Sequence, residues 1–351
     1  MKKILLFSIA FLTVFTTLSQ EKKDKKYTIR TVGFYNLENL FDTVNDTLKN
    51  DEASPIMKIK GDKTTVYKDK LNKLASVIEQ LGKEKANTSP AILGVAEVEN
   101  KQVLEDLTKT DFIKEKGYEV IHFDSPDERG IDVALLYQSK YFKPIHYEAF
   151  NPNIYADNFK KNTRDILLVT GYLDEELIHV IVNHWPSRRS GQAKSNPYRE
   201  KAAYKVSQII EKIKEKEENP KIIIMGDFND DPTNSSFKSV LKTKTKKSNV
   251  NEGDIYNPYE DMLRRGFGTL SFRDKVYLFD QIMFTSPLLD KGEKDFSSYK
   301  MFKSGIFNKQ FLTTNSGKYK GYPKRSFSYG TYTGGYSDHY PVYMYLIKEA
   351  K

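Results

Sequence analysis

The chain of 351 residues contains no cysteine, which excludes disulfide staples and thiolate metal sites alike. Stability must therefore come from an apolar core, and a chain of this length can build one. Histidines number only five, and no internal repeat is visible. After Leu18 no run approaches membrane-spanning hydrophobicity. The apolar run Ile4 to Leu18 is itself shorter than the roughly 20 residues needed to cross a bilayer. It follows Lys2 and Lys3 and precedes the charged stretch Glu21 to Asp24, so residues 1–20 read as a secretory signal peptide. No cysteine follows it, so a lipoprotein anchor is excluded. The expectation is an exported protein, periplasmic or extracellular, whose residues 21–351 form one domain.

Fifty-six lysines and arginines against 47 acids give a formal charge of +9, which favours an anionic partner without naming it. Short β-rich runs bounded by Gly, Pro, Asn or Asp recur at residues 27–36, 91–98, 118–123, 131–137, 165–172, 177–183, 221–226, 276–284 and 339–346. Leu71, Leu74, Val77, Ile78 and Leu81 recur at helical spacing and stop at Gly82. A second helix is expected to open at Pro197 and run from about Asn196 to Glu217, with Ala203, Val206, Ile209, Ile210 and Ile213 on one face. Many strands with few helices between them suggest packed sheets with helices outside. Residues 287–336 show little periodicity and read as a long loop.

Chemistry concentrates at strand ends. Gly226-Asp227-Phe228-Asn229-Asp230-Asp231 closes an Ile-rich strand, so that Asp227 can hold or deprotonate a water while Asn229 orients it or donates to a phosphoryl oxygen. Ser337-Asp338-His339 leads into the last strand. Asp280 lies among apolar residues, where an unpaired carboxylate is costly, and the imidazole of His339 is the natural partner. Ile92 to Glu99 ends another apolar strand in acids, and Asn36 ends the first. Oxygen ligands without thiols suit a hard cation, Mg²⁺, Mn²⁺ or Ca²⁺, better than Zn²⁺. After a further strand come His184, Arg188 and Arg189 in a Ser/Gly setting, a combination suited to a phosphate diester. His122, His146 and His179 lack evident partners and read as structural.

Taken in order, these segments resemble the endonuclease/exonuclease/phosphatase superfamily over most of the chain after the leader. In that family an Asn closes the first strand, a Glu closes the second and binds metal, and a G-D-x-N turn, an Asp-bearing strand and a terminal S-D-H complete the pocket. The matching positions here are Asn36, Glu97, Asp227 with Asn229, Asp280, and Asp338 with His339. The resemblance implies a four-layer α/β/β/α sandwich of two mixed sheets. It also implies a central imidazole at His184 and aligns Asp127 to Ala134 with a family segment, in which Arg129 is a candidate phosphate contact and the sequence does not decide whether Asp132 is functional or a structural strand residue.

The implied reaction is in-line attack of water on a phosphodiester, with metal held by Glu97, Asn36 and Asp338, and with His184, Asp227, Asn229, Asp280 and His339 catalytic. Nucleic acid is the expected substrate. The alternatives are a phospholipid of the sphingomyelin kind or a small phosphate ester, and, in another class, a non-catalytic binding protein on the same fold. Family members acting on inositol phosphates carry an Arg-containing pattern after the Asn. Here Asp230 and Asp231 stand in that place and are expected to repel a polyanion.

Overall fold

In the strand Tyr27–Leu40, Val32 and Phe34 point one way and Tyr35 and Leu37 the other, and all four are buried. A sheet built on such a strand must be covered on both faces. The computed structural model describes residues 25–156 and 159–350; the leader expected over residues 1–20 lies outside them.

Two six-stranded mixed sheets result. In chain order their strands are β1 (Tyr27–Leu40), β2 (Ile92–Val98), β3 (Tyr118–His122), β4 (Asp132–Gln138), β5 (Phe142–Phe150), β6 (Ile166–Leu173), β7 (Glu176–His184), β8 (Ile222–Asp227), β9 (Ile255–Tyr256), β10 (Asp280–Thr285), β11 (Lys300–Ile306) and β12 (Val342–Glu349). The first sheet has the order β11-β12-β1-β2-β4-β3 and the second β9-β10-β8-β7-β6-β5. The inner faces meet through Val32, Phe34, Leu135, Val182, Met225 and Ile282. Gly94 lies on that inner face, where an added Cβ would sit 2.5 Å from the Met225 sulfur. The bare backbone lets the sheets approach there.

Helices cover the outer faces. On the first sheet lie α1 (Lys63–Gln80) and α2 (Lys101–Thr108), with Leu74, Val77, Ile78, Val103 and Leu107 packed on Leu93 and Val95. Asp62 caps α1 by accepting from the Thr65 N–H. On the second sheet α3 (Gln192–Lys214) packs Ala203, Val206, Ile209 and Ile210 against Ile181, Ile222 and Ile224. The order of layers is therefore α/β/β/α.

Local differences from expectation have local causes. Helix α3 starts a turn before Pro197, which lies inside it; the bond Pro197 cannot make is to the carbonyl of Ala193, an exposed residue that water can serve. The run 276–284 divides into a short strand Lys275–Tyr277, hairpinned with Leu270–Phe272, and β10. Edge strands β5 and β11, and helix α2, were hidden from pattern. The edge strands pair on one side only and each buries a single residue, so their side chains do not alternate between core and water. Strand β11 lies within the stretch 287–336 that reads as loop.

Candidate active site

Strand register assembles the site. Asp227, the last residue of β8, stands opposite His184 on parallel β7 and opposite Asp280 on antiparallel β10. All three continue the inward parity of Met225, Val182 and Ile282, so they share the face that looks toward the first sheet. From that sheet Asn36 follows the inward parity of Phe34, and its amide Nδ2 donates to Asp227 Oδ2 at 3.1 Å. Glu97 would face outward by alternation. It instead adopts a left-handed φ of 61° at a register shift between Ala96 and Val98, and this bulge re-aims its carboxylate. Its Oε2 accepts from the Asn39 N–H at 3.1 Å, and its Oε1 lies 3.9 Å from His184 Nε2. Glu38, Asn39 and Asn229, close to it in the site, are also left-handed.

Asp280 is fully buried and lies 2.7 Å from His339 Nδ1. Ser337 holds this segment, since its hydroxyl donates to the Asn36 carbonyl at 2.7 Å and accepts from the His339 N–H at 3.1 Å. On the opposite wall Asn229 donates through Nδ2 to the Trp185 carbonyl at 3.0 Å, while its own N–H is taken by Asp227 Oδ1 at 3.0 Å. Trp185 itself is buried against Phe228 and Phe237.

Burial and charge set distinct protonation states. Burial, with Arg164 and Arg129 close by, holds His184 well below the usual imidazole range. Burial alone would lower His339 as well, but Asp280 and Asp227 outweigh it and hold that ring protonated well above the usual range. Burial pushes the Asp227 carboxyl up to about 7; His339 opposes this while Asp280 and Glu97 add to it. The site therefore pairs a neutral imidazole with an imidazolium, and places between them a carboxyl that titrates near neutrality.

The arginines divide. Arg129 reaches Asp127 at 3.3 Å and remains part-exposed. Arg189 is exposed on its loop. Arg188 is turned toward its own wall, donating to the Asn229 carbonyl at 2.7 Å and to Asp230 at 3.0 Å, over the ring of Phe279. Asp230 is fully buried, 2.6 Å from the Arg199 Nε and accepting from the Ser236 hydroxyl at 2.8 Å. Asp231 accepts from the Leu278 N–H at 2.9 Å. The expected repulsion of a polyanion by these two acids is thus corrected: Asp230 is neutralised inside the protein, and Asp231 is engaged in the turn. The histidines read as unpartnered also have partners, His122 with Asp132 at 3.1 Å and His179 with Thr170 at 2.8 Å and Glu217 at 3.1 Å, while His146 is exposed 3.7 Å from Glu148.

Sequence pattern missed several groups. Buried Arg164 donates to Asp127 at 3.0 Å and to the Trp185 carbonyl at 2.5 Å, so it clamps the residue after His184. Glu38 is buried beneath a returning strap, where it accepts from the backbone N–H groups of Ser326 at 2.5 Å and Phe327 at 3.3 Å. Arg325 on this strap donates to Glu38 at 3.3 Å and to Asp338 at 3.1 Å. Below it buried Lys70 donates to the Ser326 hydroxyl at 2.8 Å. Burial and Asp338 raise Glu38 to about 7, and burial lowers Lys70 to about 8.

These residues fit a divalent ion. Ligand atoms of Glu97, His184 and Asp227 all lie within 4.8 Å of one another. The His184 Nε2 stands 3.7 Å from Asp227 and 3.9 Å from Glu97, too far for a hydrogen bond, and its Nδ1 is buried without a partner. A neutral imidazole beside two carboxylates, one of them unfavourably buried, is a donor set that a cation would relieve. Of the residues expected to hold metal, Glu97 belongs to this cluster, Asn36 is bound to its Asp227, and Asp338 is paired with Arg325, 4.0 Å from His339.

Comparison with known proteins agrees with this architecture. A family model described as the endonuclease/exonuclease/phosphatase family matches residues 31–348. No curated protein matches by sequence. Among solved structures, a humanized D. rerio TDP2 with 14 mutations is similar at TM-score 0.54 and 14% identity, covering 91% of this chain and 98% of that one. An endonuclease/exonuclease/phosphatase family protein from Bacteroides thetaiotaomicron has TM-score 0.53 and 17% identity, covering 93% and 100%. A mannosyl-6-phosphatase from the same organism has TM-score 0.52 and 17% identity, covering 90% and 99%.

Proposed function

The chain belongs to the endonuclease/exonuclease/phosphatase family, a family of metal-dependent phosphoric ester hydrolases, and from that premise we propose that it is an exported phosphodiesterase acting on nucleic acid. The observation that carries the chemistry is the convergence of Asn36 and Glu97 from one sheet upon His184, Asp227 and the Asp280–His339 pair of the other. On this reading water is the attacking group, and the carboxylates and imidazoles of the centre hold and orient it.

The residues have separable tasks. Glu97, Asp227 and His184 would hold a divalent ion, Mg²⁺ or Mn²⁺ by preference and Ca²⁺ by the same oxygen chemistry, with Asn36 orienting Asp227 and Asp338 available at the rim. Such an ion, when bound, supplies charge stabilisation at the phosphorus and lowers the pKa of a coordinated water. His339, kept protonated by Asp280, donates to a phosphoryl oxygen as negative charge builds. Asp227, held by the Asn36 amide and the Asn229 N–H, is placed to orient the attacking water. Asn229 is held by the Trp185 carbonyl with its amide fixed for a phosphoryl or water oxygen. Arg129, part-exposed and close enough to His184 to lower its pKa, is the arginine best placed to meet a phosphate, with exposed Arg189 on the neighbouring loop next. Arg188, bound to Asn229 and Asp230, positions the turn instead.

Three facts support nucleic acid: the basic charge, +9 for the whole sequence and +7 once Lys2 and Lys3 leave with the leader, the neutralised Asp230, and the likeness in fold to a D. rerio TDP2 complexed with single strand DNA product, TM-score 0.51 at 14% identity. Export rests on the leader read at residues 1–20; among the described residues no helix is long and apolar enough to cross a membrane. The test is incubation of the mature chain with closed plasmid, linear DNA, RNA and sphingomyelin, with Mg²⁺ or with EDTA, beside Glu97→Ala. Metal-dependent nicking that the variant loses is expected. Sphingomyelin hydrolysis without cleavage of either nucleic acid would replace the substrate reading with a lipid one.

A further inference from the structure

Between Phe296 and Ser337 the chain carries seven lysines and arginines and no acid. This segment folds back onto the site end of the sheets and docks on the hairpin that precedes Asp280. The Tyr322 hydroxyl donates to Asp274 Oδ1 at 2.8 Å and accepts the Asp274 N–H at 2.6 Å, which engages the acid of that hairpin. The rings continue from there: Tyr322 and Tyr319 have centroids 5.6 Å apart, and the Tyr319 and Tyr329 hydroxyls lie 3.1 Å apart.

These rings are open to solvent, with Phe272 58% and Tyr329 91% exposed and Tyr319 also exposed. Lys318, Lys320 and Arg273 are interspersed with them. Exposed rings cost free energy unless something covers them, and this surface is joined to the site at two points. Arg325 bonds Glu38 and Asp338. At the base of the hairpin, the Thr269 hydroxyl accepts from the Asp280 N–H at 3.2 Å and the Thr269 carbonyl from the Tyr340 N–H at 2.7 Å. Gly335 makes the strap's crossing possible, since a Cβ there would meet the Arg325 carbonyl at 2.0 Å.

We propose that this surface is a platform for single-stranded nucleic acid, with Phe272, Tyr319 and Tyr329 stacking on bases and Lys318, Lys320 and Arg273 pairing with phosphates of the strand led to the site. The inference rests on the nucleic-acid reading above and extends it to strandedness and to a named surface. Rings interleaved with cations match a polymer of alternating flat bases and phosphates. A duplex keeps its base faces stacked inside and cannot use the rings. A lipid surface would call for several exposed aliphatic side chains, whereas among the large hydrophobic residues exposed on this platform Val276 is the one aliphatic beside the rings of Phe272, Tyr319 and Tyr329.

The test is the anisotropy of a labelled oligothymidylate titrated with the Glu97→Ala chain in EDTA, so that no turnover intervenes. On that background Phe272→Ala and the double change Tyr319→Ala with Tyr329→Ala are expected to weaken binding roughly tenfold or more each. Removing both Lys318 and Lys320 should flatten the slope of log affinity against log salt by about 1.4. Tyr172→Ala, an exposed ring at the far end of β6, serves as the control and should bind like the parent. All substitutions are at exposed positions, and thermal melts check that each variant is folded. Unchanged binding in the ring variants would overturn the platform, as would tighter binding to blunt duplex, or ring-dependent binding to anionic vesicles without binding to the oligonucleotide. If plasmid nicking by the active chain persists beside such a result, the platform fails alone. If nucleic acid is neither bound nor cut, the substrate reading fails and the platform with it.

Discussion

Asp280→Asn isolates the electrostatic core of the proposed chemistry. The wild-type carboxylate is fully buried and 2.7 Å from His339 Nδ1, so solvent screens the pair little. A hydrogen bond to a charged group is worth about 1.5–3 kcal/mol, which corresponds to a loss in kcat/KM of about ten- to 150-fold if the pair acts in the transition state. The pH profile adds a sign. Asp280, Asp227 and Asp338 face His339 and hold its pKa above the ordinary 6.5, so activity that needs the imidazolium persists to alkaline pH and falls as pH rises through the raised value. Asparagine removes the largest of these raising influences, and the alkaline limb should move to lower pH. Stability follows the same linkage: the contribution of a raised imidazole pKa is complete below the unfolded value and is lost as pH rises through the folded one. The difference in Tm between wild type and variant should therefore be larger at pH 6 than at pH 9. Steady-state kinetics of Asp280→Asn, His339→Ala and the double variant decide the matter. The double should lose little more than His339→Ala alone. Independent losses that multiply, with an unmoved alkaline limb, would refute the coupling.

The remaining expectations are simpler. Asp230→Ala leaves the fully buried Arg199 without its counter-charge and should cost about 3–5 kcal/mol in thermal or denaturant unfolding; a loss below 1 kcal/mol would mean the pair is not buried in solution. Leu74→Ala empties a wholly buried position between α1 and the first sheet and should cost about 2–5 kcal/mol, with kcat little changed. Gly335→Ala should displace the strap that carries Arg325, lowering activity more than stability. A variant as active as wild type would show that the strap is not needed where it lies.

Sequence and structure meet most closely where chemistry sits at the end of a regular strand. Asn36, Asp227, Asp280 and His339 were visible because an apolar run stops at or beside each of them, and the inward parity of the two sheets then brings them together. Glu97 was visible for the same reason, although its aim depends on a bulge that no pattern announces. Groups whose meaning lies in distant contacts were hidden. Glu38 looks like any acid after a strand, and it is buried only because Ser326 and Phe327 return over it. Arg164 stands in an ordinary polar loop, and its role comes from meeting Asp127 and the Trp185 carbonyl. Asp230 looked like an exposed neighbour of Asn229 because its counter-charge, Arg199, lies on another element. Edge strands β5 and β11 escaped because a strand paired on one side that buries a single residue has no need to alternate.

The most direct test of the central claim is the hydrolysis of bis-p-nitrophenyl phosphate by the mature chain, followed with Mg²⁺ or Mn²⁺, after EDTA, and after metal is restored, beside Glu97→Gln. A small diester removes every question of substrate recognition and leaves only the chemistry of the Glu97, His184 and Asp227 cluster. Turnover that needs the ion, returns with it and is lost in a folded Glu97→Gln is the predicted result. Turnover that survives chelation, or that Glu97→Gln retains in full, would contradict the account.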